Sequence, residues 1–350
     1  MTRGVFRLEE VLKLQQKIVP EMIQLLEKRY GILRNIYYNQ PIGRRMLSKN
    51  LELSERIVRT EINFLRENGF IEITTPGMSI TDEGEVLVEK LKGFIRELKG
   101  LSKLEYLLKE KLLLKDVVIV QGNMDEDQTV INELGKVAAN YLKGMIKSND
   151  VIALTGGSTV KTMVDSVQKC NGFNEVTIVP ARGGIGRNLE TQANTLVSKL
   201  ANKFSCNYRL FHVPDNLGCE AIKAMMKEKD IIEVMNIIDN TNILVYGIGR
   251  ADEMAKRRGL SSDQIENLRI QGALGEALGH YFNKSGEVVY YTPTMGIKSK
   301  QVKNTRDVIA IAGGSAKAEA IIATEINNLN GILITDEGAA RKILEILSSE

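Results

Sequence analysis

Histidine and cysteine are scarce in this chain of 350 residues: His212 and His280 are its imidazoles, and Cys170, Cys206 and Cys219 its thiols. So few ligands, at no metal-type spacing, exclude a Cys/His metal cage, and no metal or other cofactor is expected. The thiols fall at predicted helix ends and in loops, which suits free cysteines in a reducing compartment better than a disulfide framework. No stretch approaches ~18 uninterrupted apolar residues, and the N-terminal segment has no signal-peptide apolar core. The protein is therefore expected to be soluble and cytoplasmic, with no membrane partner. Solenoid-period repeats and low-complexity tracts are absent too. So is a strong excess of one charge, since the formal net charge is +3. The balance is uneven, however. Residues 1–115 carry about 21 Lys and Arg against about 16 Asp and Glu, which leaves the remainder slightly acidic. A basic front and a near-neutral back fit nucleic-acid contact by the front alone.

What is present begins with residues 42–68, IGRRMLSKNLELSERIVRTEINFLREN. They predict two short helices, near 43–50 and 54–68, joined by a tight turn, with Ser54 capping the second through its side-chain oxygen. Asn68-Gly69 stops that helix, and strands over 70–74 and 78–81 flank a Pro76-Gly77 turn. A hairpin directly after a recognition helix is a wing, so residues 22–92 predict a winged helix-turn-helix. Upstream, Leu8, Val11, Leu12 and Leu14 form an apolar stripe, and Pro20 opens a further helix that buries Met22, Ile23, Leu25, Leu26, Ile32, Leu33 and Ile36. On the second short helix, Ile57, Val58, Ile62 and Leu65 fit the buried side, leaving Glu55, Arg56, Arg59, Thr60 and Asn63 on or near the exposed side. Arg56 and Arg59 share a face, and arginine can bond guanine O6 and N7 together. Arg44, Arg45 and Lys49 on the preceding helix are better placed for phosphates of double-stranded DNA.

A continuous helical pattern runs from Asp82 to about Lys115, weakened by Gly93 and Gly100. It suits either a dimerising linker or a helix packed on its own domain. Beyond it, apolar β-branched strands over 117–121, 151–155, 176–179, 209–213, 242–246, 287–291, 308–312 and 331–335 alternate with helical stretches, the signature of a parallel sheet buried on both faces. The length calls for two or more domains. The expected division is a DNA-binding domain over 1–92, a linker helix over 93–115 and a ligand-binding and oligomerisation domain over 116–350.

Three Gly-rich loops join predicted strands to predicted helices. Thr155-Gly156-Gly157-Ser158-Thr159 offers amides and hydroxyls to an anion. Pro180-Ala181-Arg182-Gly183-Gly184-Ile185-Gly186 adds a guanidinium fork. Ala312-Gly313-Gly314-Ser315 precedes Lys317, a mobile point charge. Together they predict a phosphorylated ligand. A fourth loop, Gly247-Ile248-Gly249-Arg250-Ala251-Asp252, begins like a dinucleotide fingerprint, but Asp252 puts a negative charge where the third small residue belongs, so nucleotide binding there is not expected.

Taken in order, PIGRRMLS, SERIVR, LTGGST, VPARGG, TQANT, GIG followed by MAKRRG, GEALGHYFN, AGGSAKAEA and TDEGAA resemble the SorC family of bacterial sugar-responsive regulators over nearly the whole chain. The resemblance implies an α/β protein: an N-terminal winged helix-turn-helix, then a parallel-sheet, Rossmann-like sugar-phosphate-binding domain similar to glucosamine-6-phosphate deaminases and ribose-5-phosphate isomerases. It implies a repressor of a glycolytic operon that binds operator DNA as a homo-dimer or homo-tetramer and answers to fructose-1,6-bisphosphate, which weakens cooperation between dimers. By the same resemblance the ligand residues are Gly156, Gly157, Ser158 (where the family has threonine), Thr159, Arg182, Gln192, Arg257, Glu276 and Lys317, with Ala316 replacing a family serine. The arginines and Lys317 would neutralise phosphate, while Glu276 and Gln192 would bond sugar hydroxyls, although each could instead be a structural or surface side chain. Two alternatives stay open. One is an isomerase or deaminase with an appended DNA module, for which His212 is the tempting base although no acid/base pair accompanies it. The other is an activator or sensor for a different sugar phosphate.

Overall fold

A computed structural model describes residues 17–184, 188–214 and 218–349. The stripe predicted from Leu8 to Leu14 and the Ile185-Gly186 end of the second loop lie outside the described residues. The chain divides into two compact units, Met1–Lys103 with Glu126–Thr129, and Leu104–Asp125 with Val130–Glu350.

In the first unit, helix α1 (Pro20–Asn39) starts on its proline, where the missing N–H costs nothing. Helices α2 (Arg44–Asn50) and α3 (Glu55–Glu67) follow, and β1 (Ile71–Thr74) pairs antiparallel with β2 (Gly77–Ile80) to make the wing. Ile32, Leu33, Ile36, Leu47, Val58, Ile62, Leu65, Ile71 and Met78 form one core, each apolar side chain contributing about 1.5–3 kcal/mol on burial. Ile42 bridges Met78 and so ties the wing to the start of α2. Two expected core residues are exposed instead, Met22 at 46% and Ile57 at 39%. On α3 the buried stripe runs through Val58, Glu61, Ile62 and Leu65, and Ile57 sits one position off it. The surprise in that stripe is Glu61, which is buried and held by Lys28 and Arg29 at 2.8 Å each.

The helix expected without a break over 82–115 is two helices. α4 (Asp82–Leu98) is capped by the Thr81 hydroxyl, and its Val88 and Ile95 belong to the winged-helix core. The chain turns at Lys99-Gly100, with Gly100 at φ +66, before α5 (Leu101–Leu112).

The second unit is built on seven parallel strands: β3 (Asp116–Val120), β4 (Val151–Leu154), β5 (Thr177–Pro180), β6 (Asn207–Tyr208), β7 (Ile243–Gly247), β12 (Asp307–Ile311) and β13 (Gly331–Asp336). Their order is β3-β13-β12-β7-β4-β5-β6. The helices α6 (Thr129–Met145), α7 (Ser158–Ser166), α8 (Ala193–Phe204), α9 (Cys219–Met225), α10 (Lys229–Asp239), α11 (Ala251–Arg257), α12 (Ser262–Ile270), α13 (Ser299–Asn304) and α14 (Ala318–Glu325) lie between strands, and α15 (Glu337–Ser348) follows β13. Leu134, Leu142, Ile152, Met163, Ile178, Leu196, Phe204, Val245, Ile309 and Ile334 fill one core between sheet and helices.

Two predicted strands are corrected. Residues 209–213 do not extend the sheet beyond Tyr208, because Asn194 of α8 takes over as backbone partner, accepting from the Phe211 amide at 2.9 Å and donating to its carbonyl at 3.1 Å. Residues 288–291 form β11 (Val288–Tyr291), but in a separate antiparallel sheet ordered β11-β10-β9-β8, with β10 (His280–Asn283), β9 (Ala273–Ala277) and β8 (Gly249–Arg250). An apolar run does not state its pairing direction, and here the short Lys284-Ser285-Gly286 turn returns the chain directly onto β10.

From β4 the chain proceeds outward through β5 to β6, and from β7 it proceeds the other way through β12 to β13. The strand order therefore reverses between β4 and β7. A crevice opens outside the carboxyl ends of strands at such a reversal.

Candidate functional site

The loop after β4 leads into α7, whose N-cap is Gly157. A Cβ on Gly156 would meet the Thr191 carbonyl at 2.5 Å, and the Gly157 amide donates to that carbonyl at 2.9 Å. This clasp brings the next turn alongside, where Gln192 is the N-cap of α8. Two helix N-termini, each with unpaired amides and a partial positive charge, thus open on the crevice. The cavity there has a volume of about 210 Å³. Gly156, Gly157, Ser158, Thr159, Arg182, Gln192, Arg257, Glu276 and Lys317 all line it. Ser158 is exposed and Thr159 buried.

The floor is charged and buried. Glu276 on β9 is buried, and its Oε1 accepts from Arg258 Nη2 at 2.6 Å and from the Gly279 amide at 2.7 Å. Arg182 Nη1 stands 3.9 Å from the same oxygen. Two buried guanidiniums therefore share one carboxylate, and Glu276 is first a partner of arginines. Arg257, one residue before Arg258, is exposed at the end of α11. His280, on the strand after Gly279, has its pKa lowered by burial and then by the Arg182 charge.

Lys317 is half-buried. Burial lowers its pKa, against the opposing pull of Glu253, Asp125 and Asp336. The loop before it differs from the anion cradle expected. Asp125 accepts from the Ser315 hydroxyl at 3.0 Å and the Ala316 amide at 2.9 Å, while Asp336 accepts from the Gly314 amide at 2.9 Å. Internal carboxylates occupy those donors, and of this loop it is Lys317 that lines the cavity.

In the first unit, Arg44, Arg45 and Lys49 are exposed on α2, and Glu55, Arg56, Arg59, Thr60 and Asn63 are exposed on α3. Ser54 caps α3 as expected, accepting from the Ile57 amide at 3.4 Å. The Thr60 hydroxyl donates to the Arg56 carbonyl at 3.1 Å and so turns toward its own helix.

Residues 96–345 match the Sugar-bind family, a sugar-binding domain, and residues 25–95 match the CggR N-terminal DNA binding domain. Among known proteins, the central glycolytic genes regulators of Priestia megaterium and Bacillus subtilis are 40% and 39% identical. Each alignment covers 96% of this chain and 99% of the relative. A solved SorC family transcriptional regulator from Enterococcus faecalis is 34% identical with a TM-score of 0.65, over 69% of this chain and 99% of that one. The chain belongs to the SorC family. The fold also extends to the full-length sorbitol operon regulator SorC from Klebsiella pneumoniae, at 20% identity and a TM-score of 0.63, over 93% of this chain and 99% of that one.

As a SorC family transcriptional regulator, the chain joins an N-terminal DNA-binding domain, a winged helix, to a C-terminal sugar-binding domain built on a parallel α/β sheet. Several lining residues were not anticipated: Arg258, Glu253, Met254, Thr191 and Leu278. Arg258 had a signal, the paired arginines of KRRG, but adjacent positions on a helix face different ways and the resemblance pointed to Arg257. The Gly247-Ile248-Gly249 loop lines the same cavity, while Asp252 is held by Arg250 at 2.9 Å. His212 is exposed and not among the lining residues. Among the described residues no helix is long and apolar enough to cross a membrane, and no cluster of His, Cys, Asp and Glu could hold a metal ion.

Proposed function

We propose that this regulator represses a glycolytic operon and that a sugar phosphate, fructose-1,6-bisphosphate above others, binds the cavity and lowers its hold on the operator. One observation carries the effector reading: nine residues from widely separated segments converge on a single cavity where two helix N-termini meet Arg182, Arg257, Arg258 and Lys317. That much positive potential suits a ligand with more than one phosphate. The relatives at 40% and 39% identity are central glycolytic genes regulators, which supports that choice of target genes. On the DNA side, Arg56 and Arg59, flanked by Glu55, Thr60 and Asn63, meet base edges, and Arg44, Arg45 and Lys49 meet phosphates. The chain acts as a homo-dimer or homo-tetramer in the cytoplasm. The ligand favours one state of the assembly, and operator affinity changes by that preference. We read the cavity as a receptor: the relatives at 40% and 39% identity are regulators, and Glu276, the carboxylate on its floor, is engaged by Arg258 and the Gly279 amide.

The test is a map of DNA protected upstream of a glycolytic operon, with and without fructose-1,6-bisphosphate. Protection that weakens as the bisphosphate is added supports the reading. Protection indifferent to it, or turnover of fructose-6-phosphate or glucosamine-6-phosphate by the purified protein, overturns it.

A further inference from the structure

The cavity wall carries a carboxylate with no evident part in receiving an anion. Glu253 stands on α11, two residues past Ala251, and borders the cavity together with Lys317. In a space of about 210 Å³ no phosphate can sit beyond the electrostatic reach of either side chain, because that reach is about 8–10 Å in physiological salt.

Three carboxylates act on Lys317: Glu253, Asp125 and Asp336. Two of them are fixed elsewhere. Asp336 is buried and accepts from the amides of Met124, Gly314 and Ala339, at 2.8, 2.9 and 2.8 Å. Asp125 is bound by Ser315 and Ala316. Glu253 differs, with a side chain 63% exposed and a contact of 3.7 Å to Arg250 Nε. Arg250 is already engaged by both oxygens of Asp252, at 3.2 and 2.9 Å. Of the three carboxylates, Glu253 is thus exposed and has only a long contact, to Arg250, beside it.

We propose that Glu253 is an internal competitor for Lys317: it balances the ammonium in the empty cavity and is displaced by the ligand's phosphate, so that it sets effector affinity. This rests on the sugar-phosphate reading above and adds a residue that opposes binding to those that favour it. A carboxylate that instead accepted a hydrogen bond from a ligand hydroxyl would have the opposite effect when removed.

The experiment is calorimetric titration of the full chain with fructose-1,6-bisphosphate and, separately, with inorganic phosphate. The wild type, Glu253→Gln, Lys317→Met and the double variant are compared, with melting temperatures as a check on folding. Glu253→Gln is expected to tighten fructose-1,6-bisphosphate about fivefold, the scale of one exposed ion pair, and to tighten phosphate in the same direction. The gain should vanish in the Lys317→Met background, because the competition is for that ammonium. Binding by the wild type with unchanged or weaker binding by Glu253→Gln overturns this proposal alone, as does a gain that persists without Lys317. Failure of the wild type to bind either probe overturns both this proposal and the sugar-phosphate reading.

Discussion

A Cβ atom at Gly279 would stand 2.6 Å from Nη1 of Arg182 and 3.1 Å from its Cζ. The guanidinium occupies the space a side chain would need, and the glycine's φ of +86 also disfavours one. Gly279→Ala should therefore strain the backbone and push Arg182 off the cavity floor. The expected outcome is a stability loss of about 1–3 kcal/mol in urea denaturation, with a loss of effector affinity larger than that of Gly275→Ala on β9.

Arg182→Ala leaves Glu276 with Arg258 and the Gly279 amide as partners. The unliganded variant should fold, since no buried charge is stranded. Its thermal shift with fructose-1,6-bisphosphate should largely disappear, whereas the wild type should gain about 2.7 kcal/mol at a hundredfold excess over Kd. An unchanged shift would remove Arg182 from the site.

On the DNA side the variants should separate by kind. Arg59→Ala is expected to cost about 1–3 kcal/mol on operator DNA and little on scrambled DNA. Lys49→Ala should weaken both equally and lower the salt slope by about one unit. Gel shifts on the two DNAs across a salt series distinguish these outcomes.

Glu61 is expected to make the winged helix acid-sensitive. Burial alone would raise its pKa, but Lys28 and Arg29 outweigh burial and hold it below the ordinary value of 4.5. A lowered folded-state pKa gives stability that is complete above about pH 4.5 and is lost as pH falls through the folded value. Glu61→Gln should cost about 1–3 kcal/mol at neutral pH, and the gap from wild type in urea midpoints should narrow below about pH 4.5.

Much of this was legible because the relevant forces are local. Ser54 and Pro20 announce helix starts, and Pro76-Gly77 announces the wing, through chemistry confined to a few residues. The Gly-rich loops after β4 and β5 that line the cavity were legible for the same reason, and the resemblance pointed to Gln192, Arg257 and Glu276. What stayed hidden depends on partners distant in sequence. Glu61 looks like a surface residue until Lys28 and Arg29 are brought to it. Phe211 leaves the sheet because Asn194 claims its amide. The Gly313–Ser315 loop resembles a phosphate cradle until Asp125, some 190 positions earlier, fills it.

Strand β13 pairs with β3 on one side and β12 on the other. The first strand of the receptor unit therefore waits without its hydrogen-bonding neighbour until every residue between Val120 and Gly331 has left the ribosome. The winged helix, whose contacts are short in sequence, is under no such delay. A nascent chain would then have its DNA-reading part folded before its metabolite sensor exists, so a truncated product would be a regulator deaf to its signal.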